Sequence, residues 1–188
     1  MRASPRYCLV SLSIDDTQLA LGSAWVVSFA RGMADAARDL GVYVCGGNLT
    51  RGPLNIAVSA HGEIEHQCLL RRSGGQAGQQ LSVTGRLGAA AACVRTGQML
   101  PVDPAVLTPV QSAYYRPQAR FDVLAMVETA SAGLDISDGL SQDLAHLCAA
   151  SGCGAALQAA SIPLAAGATL ERSLIHISEP TRLRTSAD

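Results

Sequence analysis

The stretch 134–140 (Leu-Asp-Ile-Ser-Asp-Gly-Leu) constrains the fold most, because it marks the passage from an extended segment into a helix. Residues 132–136 predict a short buried strand. Apolar side chains then recur at helical spacing, at Leu140, Leu144, Leu147 and Cys148. Asp135, Ser137 and Asp138 are therefore expected at a strand-to-helix turn.

A turn of this kind has two readings. The first-turn N–H groups of a helix are unpaired and its dipole is positive there, which suits a phosphate. The carboxylates of Asp135 and Asp138 suit the Mg²⁺ that accompanies nucleotide phosphates. Alternatively, Ser137 or Asp138 caps the helix and Asp135 ends a strand in solvent.

Bulk composition favours a globular, cytoplasmic protein with one domain or two small ones. Of 188 residues, 48% are hydrophobic and 15% are charged, and the net charge is -1. Runs of like charge and aromatic-rich stretches are missing, so neither nucleic acid nor a membrane is expected as a partner. The six cysteines form no Cys-x-x-Cys pair, which favours reduced thiols over disulfides or zinc ligands.

In the first third of the chain, the pattern predicts α+β structure, with β-sheet layers backed by helices. The predicted elements are a strand at 7–14, a helix at 23–40, and strands at 42–45 and 54–60. Ser23 is expected to cap the helix and Gly41 to end it. Asp15 and Asp16 either hold a metal or end the first strand in solvent.

The segment 46–53 is predicted to be a loop between two strands. Its glycines would allow close backbone approach, and Arg51 could reach a phosphate, although a plain hairpin turn explains the same residues. Further along, residues 68–78 resemble a hinge. The remaining predictions are strands at 81–85 and 155–157, helices at 87–99 and 121–131, and an irregular, proline-containing connection at 100–119.

Three stretches together resemble the thiamine-monophosphate kinase family of the aminoimidazole ribonucleotide synthetase-like superfamily. Residues 46–54 resemble its Gly-Gly-Asp-Thr-Thr-Arg-Gly-Pro-Leu block. Residues 70–88 are similar to its Leu-x-Arg-Ser-Gly-Ala and Val-Thr-Gly-x-Leu-Gly passage, and residues 135–144 to its Asp-Ile-Ser-Asp-Gly-Leu-x-x-Asp-Leu. The order and separations agree from residue 1 to about residue 172.

The resemblance implies a two-domain synthetase-like fold, here incomplete, and transfer of the ATP γ-phosphate to thiamine monophosphate with Mg²⁺. It also implies a homodimer formed through the N-terminal sheet. The implied nucleotide-binding residues are Gly47, Asn48, Arg72 and Ser137, and the implied metal ligands are Asn48, Asp135 and Asp138. No side chain is expected to act as a catalytic nucleophile or base, because phosphoryl transfer depends mainly on positioning and cations.

The sequence departs from the family pattern in several places. Asn48 replaces a metal-binding Asp, and Gln79 replaces another Asp, predicted at a surface turn. The chain begins after the family's Gly-Asp-Asp-Ala segment and ends before its C-terminal substrate residues, so the 188-residue chain alone is expected to be inactive. Another ATP-dependent synthetase of the superfamily, or a non-catalytic nucleotide-binding or dimerisation module, remains an alternative.

These motifs suggest a division of the chain into three parts. Residues 1–66 are expected to be the C-terminal part of an N-terminal ATP- and Mg²⁺-binding, dimerising domain. Residues 67–172 would begin the C-terminal domain. Residues 173–188 resemble the translation of a sequencing adapter and are interpreted as a non-native tail.

Overall fold

A computed structural model describes residues 2–65, 68–98, 106–123 and 128–166 of the chain. The chain divides into two compact units, Arg2–Leu69 and Leu70–Asp188. The tail predicted to be non-native, residues 173–188, lies outside the described residues. Within the described ranges, no helix is both long enough and apolar enough to span a membrane.

The first unit is built around a three-stranded sheet. Its elements are β1 (Ser4–Ile14), α1 (Asp16–Ala20), α2 (Ser23–Asp39), β2 (Tyr43–Arg51) and β3 (Asn55–Glu63). The strand order is β2-β1-β3, with β1 parallel to β2 and antiparallel to β3. The predicted order of strand, helix, strand and strand is confirmed. β1 is central because it pairs with both other strands, and the helical crossover allows β1 and β2 to run parallel.

One face of β1 supplies the buried residues of this unit, which are Cys8, Leu12 and Ile14. These positions alternate with more exposed ones, as the pleat of a strand requires. On α2, the Trp25 and Phe29 rings stack with their centroids 5.7 Å apart on a half-buried stripe. Helix α2 is therefore amphipathic, with its aromatic residues on the less exposed side.

The ends of α2 differ in how well the sequence predicted them. Gly22 occupies the N-cap position and no side chain caps the helix, so the prediction that Ser23 is the cap was wrong. Ser23 is instead the first helical residue. At the other end, Gly41 adopts a φ of +64°, a conformation that glycine reaches without steric cost, and it ends the helix as predicted.

Strand β2 corrects the prediction of a loop at 46–53. The strand runs through Gly46, Gly47 and Asn48 to Arg51, and only residues 52–54 form the turn before β3. The register with β1 shifts at the level of Cys8 and Leu9, which leaves Cys45 as the extra residue of a β-bulge. Hydrogen bonding to β1 overrides the usual preference of glycine and asparagine for turns.

The second unit contains three α-helices among its described residues: α3 (Ala89–Arg95), α4 (Pro109–Tyr115) and α5 (Leu140–Ser151). Ala92 and Cys93 of α3 are buried, and Gln111 of α4 donates from Nε2 to the carbonyl oxygen of Gln98 at 3.2 Å. A single parallel bridge joins Leu87 to Leu164. Helix α5 confirms the helix predicted from Leu140.

Several predictions for this unit were wrong. Residues 81–85, 132–136 and 155–157 are not strands, because strand-like composition forms a sheet only where a neighbouring strand accepts its hydrogen bonds. Helix α4 lies in the segment expected to be irregular, where Thr108 and Gln111 form a capping box and Pro109 occupies the first turn.

The two other predicted helices of this unit are shorter than expected. Of the helix predicted at 87–99, the described residues 87–98 contain only α3, and residue 99 lies outside the described part of the chain. Of the helix predicted at 121–131, the described residues contain only a 3-10 turn at Phe121–Val123, whereas residues 128–131 are not helical. Residues 124–127 lie outside the described part of the chain.

Candidate functional site

In the first unit, Gly47 brings the backbone of β2 unusually close to β1. Gly47 pairs with Val10 and has a φ of +151°, a value that side-chain-bearing residues rarely adopt. A Cβ atom built on Gly47 would lie 2.5 Å from the carbonyl carbon and 2.8 Å from the amide nitrogen of Val10. This position therefore requires glycine.

Asn48 lies on an exposed, polar part of the sheet. It pairs with Ser11 of β1, and Ser11 in turn pairs with Ala57 of β3. Because directly paired residues point to the same side of a sheet, Asn48 and Ser11 share a face, opposite to the one that buries Cys8 and Leu12. The exposed amide of Asn48 is thus available to a ligand on the open face of the sheet.

Arg51 and the two acids near it form contacts within the protein. The Arg51 guanidinium contacts Asp16 Oδ1 through Nη2 at 2.6 Å and through Nε at 3.0 Å. Asp15 Oδ1 accepts hydrogen bonds from the backbone N–H groups of Thr17 and Gln18 at 2.8 and 3.1 Å and so caps α1. The structure therefore favours an ion pair for Arg51 and a capping role for Asp15 over phosphate or metal binding.

In the second unit, the loop that carries Arg72 is fastened through its backbone. The carbonyl oxygen of Arg71 accepts from the Gly133 N–H at 2.8 Å. Ser151 Oγ, at the end of α5, donates to the Arg72 carbonyl at 3.0 Å and accepts from the Gly75 N–H at 3.1 Å. The Arg72 side chain is left exposed, where it can contact a ligand.

Gln79 closes the same loop on its other side. Its Oε1 accepts from the Gln76 N–H at 2.9 Å and from Ser131 Oγ at 2.7 Å. Gln79 is an exposed residue beside a turn, as predicted, but it also ties the loop to the segment that leads into the acidic stretch.

The acidic stretch itself is an exposed turn that α5 organises. The predicted buried strand before it was wrong, since Asp135, Ile136, Ser137 and Asp138 are exposed. The N-cap of α5 is Gly139, with no side-chain cap, so neither Ser137 nor Asp138 caps the helix. The turn presents the carboxylates of Asp135 and Asp138 to solvent.

A residue in the first turn of α5 holds this backbone in place. Asp143 Oδ2 accepts from the N–H groups of Ser137, Asp138 and Gly139 at 2.9, 3.0 and 3.1 Å. These three N–H groups, which precede the first turn of α5, therefore point to the protein's own carboxylate and not to a phosphate. Asp138 Oδ2 also accepts from Gln142 Nε2 at 3.3 Å.

The motif match of residues 135–144 includes Asp143, but sequence reasoning assigned no role to Asp143 and did not identify Ser151. An acid in the first turn of a predicted helix was the available signal for Asp143. No local pattern indicates Ser151, because its partners are distant in sequence. Both lie on α5, so one helix fastens the Arg72 loop and the acidic turn.

The described residues contain no cluster of three or more His, Cys, Asp or Glu side chains suited to a metal. Gly47 and Asn48 lie together on β2 in the first unit. Arg72 lies on one segment of the second unit, and Asp135, Ser137 and Asp138 lie on another. A cation held by Asp135 and Asp138 would need further oxygen ligands, such as water or substrate phosphate.

Comparison with known proteins identifies relatives over most of the chain. Residues 1–64 match the family model "AIR synthase related protein, N-terminal domain". The thiamine-monophosphate kinase of Escherichia coli K12 is 31% identical over 166 residues, which are 87% of this chain and 50% of that protein. The chain is a homologue of the thiamine-monophosphate kinases. The resemblance that the motifs predicted is confirmed.

Solved structures of thiamine-monophosphate kinases share the fold. The enzyme from Stenotrophomonas maltophilia K279a matches with a TM-score of 0.78 and 31% identity, over 89% of this chain and 54% of that one. AaThiL complexed with AMPPCP and TMP matches with a TM-score of 0.77 and 28% identity, over 88% and 53%. The predicted combination of β-sheet and helices is confirmed, here with a small sheet, and the chain spans about half the length of these relatives.

Proposed function

We propose that the chain is part of an ATP-dependent phosphotransferase that converts thiamine monophosphate to thiamine diphosphate. Its similarity to thiamine-monophosphate kinases over 87% of its length supports this assignment, as does its likeness to AaThiL complexed with AMPPCP and TMP. The structural observation that carries the proposal is the exposed turn of Asp135 and Asp138, whose backbone is held by Asp143.

The residues of that turn fit Mg²⁺, which would accompany the nucleotide. Mg²⁺ prefers oxygen ligands and is commonly held by one or two carboxylates together with water and substrate phosphates. Asp135 and Asp138 supply two carboxylates in the second unit. In the first unit, we propose Asn48 as a Mg²⁺ ligand through its neutral amide oxygen. When bound, the cation would neutralise charge on the phosphate oxygens.

The nucleotide-binding role falls to Gly47, Asn48, Arg72 and Ser137. Gly47 would contribute its backbone groups. Arg72 offers a planar guanidinium with several N–H donors, which suits phosphate oxygens. Ser137 contributes a hydroxyl beside the two acids. These groups bind and orient ligands, and we propose no side chain as nucleophile or general base.

Asn48 sets an expectation for affinity. An amide oxygen coordinates a cation but carries no charge, so a site with Asn48 binds Mg²⁺ more weakly than one with an aspartate there. The exposure of Asn48 on the sheet leaves room for either side chain.

The wider assignments follow from the same homology. We propose residues 1–66 as part of an ATP- and Mg²⁺-binding domain that forms a homodimer through its sheet, and residues 67–172 as the start of a second domain. Exposed Tyr7, Leu9 and Tyr43 support a sheet partner, with 41%, 40% and 78% of their surface accessible. A cytoplasmic location fits the free thiols of all six cysteines.

Because the chain spans about half of its relatives' length, binding is a better test than turnover. We expect Mg²⁺ with AMPPCP to bind the purified 188-residue chain in calorimetry at millimolar concentrations. Asp135→Asn and Asp138→Asn should each weaken binding about tenfold or more, and Asn48→Asp should tighten it. Asp39→Asn, which removes an equal charge from an exposed end of α2, is the matched control.

The outcomes separate the candidate functions. Loss of binding in both turn variants, with the control unchanged, supports the kinase assignment. Binding of the nucleotide that does not depend on Mg²⁺, Asp135 or Asp138 would instead favour a nucleotide-binding module without the chemistry. No detectable binding by the wild-type chain would contradict both readings.

A further inference from the structure

Asp143 is a charged side chain that the fold buries, with 5% of its surface exposed. Its Oδ2 atom accepts hydrogen bonds from the N–H groups of three consecutive residues, Ser137, Asp138 and Gly139. Hydrogen bonds to an ionised acceptor are shorter and stronger than neutral ones. An arrangement with three donors on one oxygen fixes the path of the backbone through the turn.

The geometry links that backbone to the two exposed acids. Asp138 carries one of the bound N–H groups, so the position of its Cα is set by Asp143. Its carboxylate also receives Gln142 Nε2, from the residue that precedes Asp143 on α5. Asp135 lies two residues before the first bound N–H. The separation of the two carboxylates therefore depends on the shape of this turn.

The affinity for a divalent cation depends on the conformation of this turn. Mg²⁺ requires nearly ideal octahedral geometry with short metal–oxygen distances, so a loose turn loses affinity even when both ligands are present. Residues that hold metal ligands through hydrogen bonds commonly change metal affinity when they are replaced. Oδ2 of Asp143 is already engaged by three donors, which distinguishes its role from that of a metal ligand.

We propose that Asp143 is a positioning residue that holds the turn at 135–139 in the conformation in which the carboxylates of Asp135 and Asp138 bind divalent cations. The proposal rests on the proposed function, since that function supplies the cation. It goes beyond that function by separating the residue that shapes the turn from the residues that contact the ligand.

The test combines amide hydrogen exchange with Mn²⁺ binding followed by electron paramagnetic resonance, both on the purified 188-residue chain. In Asp143→Ala, we expect the amides of residues 137–139 to exchange at least tenfold faster and the Kd for Mn²⁺ to rise at least fivefold. Asp143→Asn keeps the shape of the side chain and one acceptor oxygen but loses the charge, so its effects should have the same sign and be smaller.

A matched control separates positioning from general loss of stability. Ala145→Gly weakens the same helix at an exposed position and contacts none of the turn. It should lower the Tm without changing the exchange of residues 137–139 or the Kd for Mn²⁺. A merely structural Asp143 would behave like this control, with a lower Tm and a Kd within twofold of the wild-type value.

The result that overturns the positioning role differs from the one that overturns the proposed function. If Asp135→Asn and Asp138→Asn weaken Mn²⁺ binding but both Asp143 variants leave it unchanged, the positioning role alone is refuted. If the Asp135 and Asp138 variants leave Mn²⁺ binding unchanged, the metal site is wrong and both proposals fall. If Asp143→Ala does not fold, Asp143→Asn decides by the same criteria.

Discussion

Replacing Gly47 with alanine should destabilise the sheet of the first unit more than any other single-methyl change at a glycine of β2. The added Cβ would lie 2.5 Å from the carbonyl carbon of Val10, and the overlapping atoms are backbone, which no rotamer change can move. The φ of +151° adds strain for any residue with a side chain. β2 would have to move away from β1 at the point where Gly47 and Val10 pair.

The size of the effect follows from two contributions. A sparsely populated backbone conformation costs about 1–3 kcal/mol, and forcing an extra methyl group into a packed region costs about 1–3 kcal/mol. We therefore expect a loss of roughly 3 kcal/mol in the free energy of unfolding, a large share of the ~5–15 kcal/mol typical of a domain. With a urea slope of about 2 kcal/mol per M, the midpoint would fall by about 1.5 M.

Two other glycines provide internal controls for urea unfolding followed by circular dichroism. Gly46 has a φ of +153°, but its added Cβ would meet only Leu9 Cδ2 at 3.9 Å, so Gly46→Ala should incur the backbone strain alone. Gly32 lies within α2 with no atom within 4 Å of an added Cβ, and Gly32→Ala should stabilise by up to ~1 kcal/mol. A loss in Gly47→Ala no greater than that in Gly46→Ala would refute the close approach to Val10.

Two further predictions concern the second unit. Thr108→Ala removes the capping box of α4 and should lower the free energy of unfolding by about 1 kcal/mol, measured by urea unfolding, whereas an unchanged midpoint would show that the cap is unimportant. The pKa of the Cys148 thiol is raised, mainly because the thiol is buried. The nearby Cys153 raises it further through its charge and a hydrogen bond. The thiol of the unfolded chain ionises near pH 8.5. The raised pKa of the folded chain therefore adds to the free energy of unfolding fully below that pH, and this contribution is lost as the pH rises through the folded pKa. Unfolding of the reduced chain between pH 7 and 10 should show the decline, and Cys148→Ala should reduce its slope; equal slopes would contradict the assignment.

The sequence predicted an element best where its local pattern of apolar residues agrees with its tertiary contacts. β1 alternates buried and exposed residues around Cys8 and Leu12, and α5 buries Cys148 on its apolar side. Gly41 was recognisable as the end of α2 because glycine alone reaches its φ without cost. In each case the local preference and the tertiary contacts favour the same structure.

The sequence failed where tertiary hydrogen bonds decide the conformation. Gly46, Gly47 and Asn48 have turn-like composition, yet pairing with β1 makes them a strand. Conversely, residues 132–136 have a strand-like composition but form a loop. The Gly133 N–H in this loop donates a hydrogen bond to the Arg71 carbonyl. Neither partner can be identified from local periodicity, because each is separated by tens of residues.

In the candidate site, the sequence likewise indicates the residues that would contact a ligand better than the residues that hold their backbone in place. Exposed residues such as Arg72 and Asp138 could be proposed from residue type and motif order, since ligand-binding groups have recognisable chemistry. Asp143 stood in a matched motif and Ser151 in none, and the role of each could not be inferred, because it depends on what the side chain contacts. They are eight residues apart on α5, about 12 Å along its axis, and each fastens a different segment. A rigid helix of this length fixes the distance between the backbone of the Arg72 loop and that of the acidic turn. Substitutions at exposed positions of α5, such as Ala145, should therefore leave both segments in place as long as both hydrogen bonds are kept.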